Sequence, residues 1–410
     1  MALTHEFLSD VASTQGNAFY IFDDLAFRRN YLAFRDGLRN HYPKAEVAYA
    51  YKANYMPAIG QILAELDGMA EVVSRFEYEI ARRYLQEECL IFNGPVKSDD
   101  DIAVALSLGS QVNLDSLAEV ERVARLRVTG RPLEIGLRVS AIKADGEESR
   151  FGISVREGEL ARALDMLDTL GGVNVASLHC HLTTQDKSPE GFVDRLRELW
   201  SIARGLEGRH WLRSVNIGGG FFGELPETLK QQFACPISSI DSYTATIGRA
   251  FTQMHPERRI RLIIEPGVSV VANTMCFAVR VVDIRSRNGK LQALLDTSIN
   301  SVNPTRSSLK VPLSVVTAHC KPDAKRRSYA LVGNTCMEHD IIEPELEANL
   351  NAGDFIVFEN RGAYSINYTP DFIHPAPAIV SREGKVLKTA DSVSTSLASY
   401  NSIVDPGGNG

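Results

Sequence analysis

The sequence predicts an α/β protein: a (β/α)₈ barrel of parallel strands followed by a smaller, mostly antiparallel β domain. Three observations carry this reading. Strand-like and helix-like segments alternate from about residue 20 to residue 270. They give about eight strands, each but the last followed by a helix within that stretch. The chemically unusual residues fall at or just past the C-terminal ends of these strands, the ends that converge on one mouth in a closed barrel. A doubly wound open sheet would alternate too, but it would not gather those ends. The expected domains are a barrel over residues 21–275 and a β-barrel-like domain over 276–405, with residues 1–20 a candidate addition to the second as an extra strand.

Each element has a local reason. Phe27, Tyr31, Phe34 and Leu38 share one helical face, and "EVAYAY" then has strand character. Pro57 opens a helix carrying Ile59, Ile62, Leu63 and Leu66 before "AEVVS" resumes a strand. "FEYEIARRYL" reads as helix and "LIFNG" as strand; Ser98 before three aspartates reads as a helix N-cap. There follow the strand "QVNLD", the helix "SLAEVERVARLR", the strand "LEIGLRV" and a helix from about residue 156. The series closes with "NVASLHCH", a helix from about 189, "SVNIGGG", a helix over about 240–254, and "RLIIEPG". Beyond about residue 275, "CFAVRVVDIRS", "KLQALLDTS", "SYALVGNTC" and "DFIVFEN" are short strands parted by turn residues. The tail "DPGGNG" has a disordered composition.

Composition narrows the function. Over 410 residues, 44% are hydrophobic, 23% are charged and the net charge is −7, so no basic footprint for nucleic acid or an anionic membrane is present. No apolar run approaches the ~20 residues of a membrane span. The start, "MALTHEFLSD", lacks the basic and apolar regions of a secretory signal, and a cytoplasmic location is expected. Cys89, Cys180, Cys235, Cys276, Cys320 and Cys336 are scattered without a CxxC pair, which argues against a disulfide framework.

Four features carry chemistry. Lys52, in "YAYKANY", ends a buried strand with a side chain that is buried only with a partner or for chemistry. Gly218, Gly219 and Gly220, in "NIGGGF", let backbone N–H groups approach a phosphate after the seventh strand. Glu265, in "IIEPG", is a buried acid that needs a partner, either a protonated ring nitrogen or an arginine such as Arg138. His179 and His181, in "HCH", could ligate zinc, or one imidazole could lie flat against an aromatic cofactor; the lack of further ligands at other strand ends makes metal the poorer reading. Together the lysine, phosphate cradle, ring acid and flat imidazole describe a pocket for pyridoxal phosphate.

The ordered set "YKAN", "VVSRFE", "GPVKSDDDI", "NLDSLAEVERV", "SRFGI", "HCHLTTQ", "NIGGGF", "EPG", "GNTCMEHD" and "GAYSINY" resembles the fold type III pyridoxal-phosphate decarboxylases, the group of diaminopimelate, ornithine and arginine decarboxylases. Those enzymes share the alanine-racemase-like barrel. The resemblance implies that Lys52 is the Schiff-base lysine and His181 the residue stacking on the ring. It further implies that Glu71 is an acid near the ring, Arg138 an arginine near its phenolic oxygen, and Glu265 the ring nitrogen's partner. Gly218, Gly219, Gly220, Gly267 and Tyr364 then belong to cofactor binding. Cys336 matches a cysteine that enters from the neighbouring subunit and protonates Cα; Glu338, Asp340 and Tyr364 become candidates for substrate contact. A head-to-tail homodimer with shared sites, a small amino-acid substrate and no metal are implied with them.

The departures from that pattern bear on substrate. "HLTTQ" puts Thr183 and Thr184 where glycine and serine are usual, Val268 replaces the arginine after "EPG", and Met337 stands where an acid usually follows the cysteine. A distal ammonium thereby loses its usual partner unless Glu338 substitutes. The departures point to α-decarboxylation of acyl or citryl conjugates of diamino acids, as in siderophore biosynthesis. The alternatives are a plain diaminopimelate, ornithine or lysine decarboxylase, a racemase on the same fold, an inactive regulator, and a metal-dependent hydrolase using His179 and His181.

Overall fold

A computed structural model describes residues 3–125, 132–142, 146–182, 187–318 and 326–400. The chain divides into two compact units, Asp24–Leu225 with Phe233–Ala272, and Met1–Asp23 with Pro226–Gln232 and Asn273–Gly410.

The chain begins with helix α1 (His5–Gln15) and strand β1 (Ala18–Phe22), both in the second unit. The first unit then runs α2 (Asp24–His41), β2 (Ala45–Ala50), α3 (Pro57–Glu65), β3 (Met69–Val72), α4 (Arg75–Ala81), β4 (Leu90–Phe92), α5 (Asp99–Ser107) and β5 (Gln111–Leu114). It continues with α6 (Leu117–Arg125), β6 (Leu133–Arg138), α7 (Glu159–Leu170), β7 (Val173–His179), α8 (Pro189–Gly205) and β8 (Ser214–Asn216). After the short α9 (Glu227–Lys230), grouped with the second unit, come α10 (Ile240–Met254), β9 (Arg261–Ile264) and α11 (Val268–Val271).

Strands β2 to β9 form a closed barrel, and every adjacent pair is parallel. The predicted face of α2 is the buried one: Phe27, Tyr31, Phe34 and Leu38 are all enclosed, and the Tyr31 hydroxyl donates to the Val47 carbonyl at 2.8 Å. Burying each such side chain contributes about 1.5–3 kcal/mol. Pro57 occupies the first turn of α3, where its missing N–H costs nothing. Ser98 caps α5 in a full capping box with Asp101, as its three following aspartates predict. The helix expected from about 156 starts at Glu159, and the one read over "FEYEIARRYL" stops at Ala81.

The second unit adds β10 (Met275–Arg287), β11 (Lys290–Leu295), α12 (Ile299–Val302), β12 (Leu313–Val316), β13 (Arg327–Val332), β14 (Ile341–Ala348), β15 (Phe355–Phe358), β16 (Ala378–Ser381), β17 (Val386–Lys388) and α13 (Val393–Leu397). Its nine strands follow the order β14-β13-β11-β10-β1-β16-β17, with β15 also on β10 and β12 on β15. Most pairings are antiparallel, but β1–β16 and β11–β13 are parallel, so the sheet is mixed. Residues before 24 supply both a strand and the helix α1, whose Leu8, Val11 and Ala12 pack on Phe19, Phe355 and Val380.

The five described cysteines are free, and Cys320 lies outside the described residues. No described helix is long and apolar enough to cross a membrane.

Candidate active site

Lys52 sits on a 3₁₀ turn, Tyr51–Ala53, that continues β2 at the C-terminal mouth of the barrel. The turn is held by close backbone packing. A side chain on Gly267 would put its Cβ 3.0 Å from that of Ala50 and 3.1 Å from that of Ala53, and the Ala50 N–H donates to the Pro266 carbonyl at 3.2 Å. Gly267 therefore acts in this structure as the close-approach residue beneath the lysine. Lys52 Nζ donates to Glu71 Oε2, and Glu71, on β3, is 1% exposed. Both line a cavity of about 660 Å³ together with Asn93, Arg138, Arg150, Phe151, His179, His181 and Glu265.

Glu265 follows β9 and is enclosed by donors: Asn93 Nδ2 at 2.8 Å, Asn216 Nδ2 at 2.7 Å and His179 Nε2 at 3.2 Å. Burial pushes its carboxyl up, but the attraction and hydrogen bond of the His179 ring outweigh that and hold it well below the ordinary 4.5. The arginine alternative is excluded, because Arg138 Nη1 bonds Asp115 Oδ1 at 2.9 Å. The other Asp115 oxygen accepts the Gly152 N–H at 3.2 Å. Glu77 sits nearby in the electrostatic sense: burial raises its carboxyl to about 7, the Glu71 charge adds to the rise, and the Val73 N–H opposes it.

Gly218 and Gly220 take left-handed backbone, φ 69° and 108°, and a Cβ on Gly219 would lie 2.1 Å from the Glu265 carbonyl oxygen. The loop is tied to the acid and to the histidine. The Gly218 N–H donates to Asn216 Oδ1 and the Gly219 N–H to His181 Nδ1, both at 2.9 Å. Two of the three expected phosphate donors are thus spent inside the protein, because the loop is organised around Asn216 and His181. With Nδ1 accepting, the ring of His181 is neutral; burial, followed by the Lys52 charge, lowers it well below the usual imidazole range.

The remaining candidates belong to the second unit. Cys336 and Glu338 are exposed. Asp340 is buried and its carboxylate is consumed locally, accepting the Ile299 N–H at 2.8 Å, the Thr335 N–H at 3.2 Å and the Thr335 hydroxyl at 2.6 Å. It organises the loop that carries Cys336 and is not a free substrate contact. Tyr364 has φ 51°, and its ring meets that of Tyr368 edge-on at 5.9 Å. Val268 is 42% exposed at the start of α11. Thr183 and Thr184 lie outside the described residues.

No group of three or more potential metal ligands occurs among the described residues. The donor set does fit pyridoxal phosphate: an amine in a cavity, an enclosed ionised acid, a neutral imidazole and a glycine turn that a Cβ on Gly218 or Gly219 would block. Buried His179 Nδ1 has no hydrogen-bond partner among the described residues. Asn93, Asp115 and Asn216 went unread in the sequence. Their one signal was a polar residue at a strand end, the same signal that singled out Lys52 and Glu265.

Residues 28–272 match the family described as "Pyridoxal-dependent decarboxylase, pyridoxal binding domain". A diaminopimelate decarboxylase of Pseudomonas aeruginosa is 29% identical over 374 residues, covering 87% of this chain and 85% of that protein. One from Methanothermobacter thermautotrophicus is 26% identical over 402 residues, covering 92% and 89%. Among solved structures, diaminopimelate decarboxylase from M. jannaschii in complex with L-lysine superposes with a TM-score of 0.82 at 22% identity, covering 96% of this chain and 94% of that one. A lysine/ornithine decarboxylase of Vibrio vulnificus complexed with putrescine gives 0.76 at 20% identity, covering 93% and 98%.

Proposed function

The chain belongs to the pyridoxal-dependent decarboxylases, and from that premise we propose that it removes the α-carboxyl group of a diamino-acid conjugate whose distal nitrogen carries an acyl or citryl group. Pyridoxal phosphate, when bound, supplies the electron sink for the pair left on Cα as carbon dioxide departs. The protein's own groups do the rest. Lys52 holds the cofactor through its amine and is kept in place by Glu71. Glu265, ionised and enclosed, keeps a proton on the ring nitrogen. Neutral His181 offers a flat face and is held by the Gly219 N–H of the glycine turn. Cys336 delivers the proton to Cα.

The observation that carries the substrate reading is Met337, an apolar residue beside Cys336 where a carboxylate would be needed to grip a free ammonium. Arg150 supports it from the barrel side. Its guanidinium lines the Lys52 cavity, stacked 3.8 Å from the centre of the Phe151 ring. A planar, preorganised cation of this kind suits a substrate carboxylate. We propose with it a head-to-tail homodimer in which Cys336 serves the partner's site.

The test is release of carbon dioxide from a panel of free diaminopimelate, ornithine and lysine beside N-acyl and N-citryl diamino acids. Preference for the conjugates is the expected result. Efficient turnover of free diaminopimelate or ornithine instead would overturn the conjugate reading and leave the decarboxylase assignment intact.

A further inference from the structure

The interior of the barrel is divided lengthwise. Towards β9, β2, β3 and β4 it is filled by Ala48, Met69, Ile91 and Ile263, which pack as one apolar cluster. Towards β5, β7 and β8 it holds Gln111, Asn113, Ser177 and Ser214, hydrogen-bonded to one another. Barrel interiors are ordinarily filled by branched aliphatic side chains. A buried amide is costly unless its hydrogen bonds are met, so a polar half calls for a reason.

The amides form a column with a single direction. Gln111 Nε2 approaches Asn113 Oδ1 at 3.5 Å, Asn113 Nδ2 donates to Asn93 Oδ1 at 2.7 Å, and Asn93 Nδ2 donates to Glu265 at 2.8 Å and to Glu71 at 3.1 Å. The direction is imposed from the mouth. Ionised carboxylates only accept, so Asn93 must turn its NH₂ towards them and its oxygen away, and Asn113 must then offer its own NH₂. Each amide polarises the next, and the positive end of the series meets the two acids. Asn93 and Asn113 are 3% and 1% exposed. Gly136 on β6 makes the slot, since a Cβ there would lie 1.8 Å from Asn113 Oδ1.

We propose that Asn93 and Asn113 are positioning residues for the cofactor's ring nitrogen: the column aims the Glu265 carboxylate that His179 steadies, with Asn113 acting through Asn93. By donating to Glu265 and Glu71 at once, Asn93 also fixes the spacing of two acids that would otherwise repel. The proposal rests on Glu265 being the ring nitrogen's partner.

The experiment compares binding of pyridoxal phosphate, and of a deaza analogue with carbon in place of the ring nitrogen, to full-length apoprotein by fluorescence quenching. Asn93→Ala, Asn113→Leu and the double variant are each expected to bind pyridoxal phosphate roughly tenfold more weakly than wild type, the double no more weakly than Asn93→Ala. All three are expected to bind the analogue within about twofold of wild type. Equal losses for cofactor and analogue, additive losses in the double variant, or no loss would each overturn the proposal. A wild-type protein that binds both ligands equally would overturn the reading of Glu265 on which it rests. Should Asn113→Leu fail to fold, Asn113→Ser deletes the amide with less disturbance and takes its place.

Discussion

The imidazole of His179, at the end of β7, and the carboxylate of Glu265, just past β9, face each other 3.2 Å apart across the end of β8, each about 1% to 2% exposed. The pair was split between two readings in the sequence, a zinc ligand and a ring acid. It is a single unit, in which a histidine makes an otherwise costly buried charge tolerable.

Replacing His179 by leucine leaves Glu265 with Asn93 and Asn216 alone. A loss of about 2–4 kcal/mol in unfolding free energy is expected from urea denaturation at neutral pH. The sign of its pH dependence follows from the depressed carboxyl: the stability it confers is present above the ordinary 4.5 and is lost as pH falls towards the folded value. The gap between wild type and His179→Leu should therefore narrow below pH 4.5. A gap that stays constant with pH would mean that the ring only fills space.

Glu77 titrates the other way. With its carboxyl raised from 4.5 to about 7, the folded state holds a proton that the unfolded chain has released, and stability falls as pH rises across that window. Glu77→Gln should flatten the stability curve between those two values by roughly 3 kcal/mol, while keeping an oxygen for the Val73 N–H. Thermal melts at half-unit pH steps measure it.

Lys97 and Glu119 form a buried ion pair outside the cavity, 2.8 Å apart with the lysine 0% exposed. Glu119 also accepts the Lys97 and Asp115 N–H groups, so the pair braces the segment that presents Asp115 to Arg138. Lys97→Met is expected to cost about 1.5–3 kcal/mol, because Glu119 loses its nearest cation but keeps Arg122 at 3.5 Å and two backbone N–H donors. Lys97→Met with Glu119→Gln, which removes the charge but keeps an oxygen for a backbone N–H, should be less damaging than Lys97→Met with Glu119→Leu, which a denaturation series would show.

If Cys336 serves the partner's site, mixing inactive Lys52→Ala with inactive Cys336→Ala should restore up to about a quarter of wild-type activity as subunits exchange. No recovery after denaturation and joint refolding would place both residues in one subunit's site. The Lys52→Ala protein alone should also lack the visible absorption that borohydride removes from wild type.

The barrel was legible because several strands end on a residue out of keeping with their run: Lys52, the histidines of "HCH", the glycines after Asn216 and Glu265. What escaped was orientation. "Gln-Val-Asn" and "Ser-Val-Asn" alternate as a half-buried strand does, and the usual inference turns the apolar residue inward. In this barrel Val112 and Val215 are buried while Gln111, Asn113, Ser214 and Asn216 meet one another and Glu265 inside. Helices cover the outer face of a parallel barrel, so both faces of its strands are buried and alternation loses its meaning. Asp340 escaped for another reason: its three local hydrogen bonds depend on Ile299 and Thr335, which no spacing connects.

Strand β1 pairs with β10 and β16, so its partners lie at residues 275–279 and 378–381. During synthesis, Ala18–Phe22 leaves the ribosome long before either neighbour exists. At 5–20 residues per second the interval to β10 is roughly 10–50 s. Every strand of the barrel is made within that interval, and it can close while "AFYIF", apolar and strand-forming, still waits for its sheet. Nascent chains of this protein thus carry an open strand until residue 275 is made, an interval in which a holdase chaperone able to cover five apolar residues would shield it.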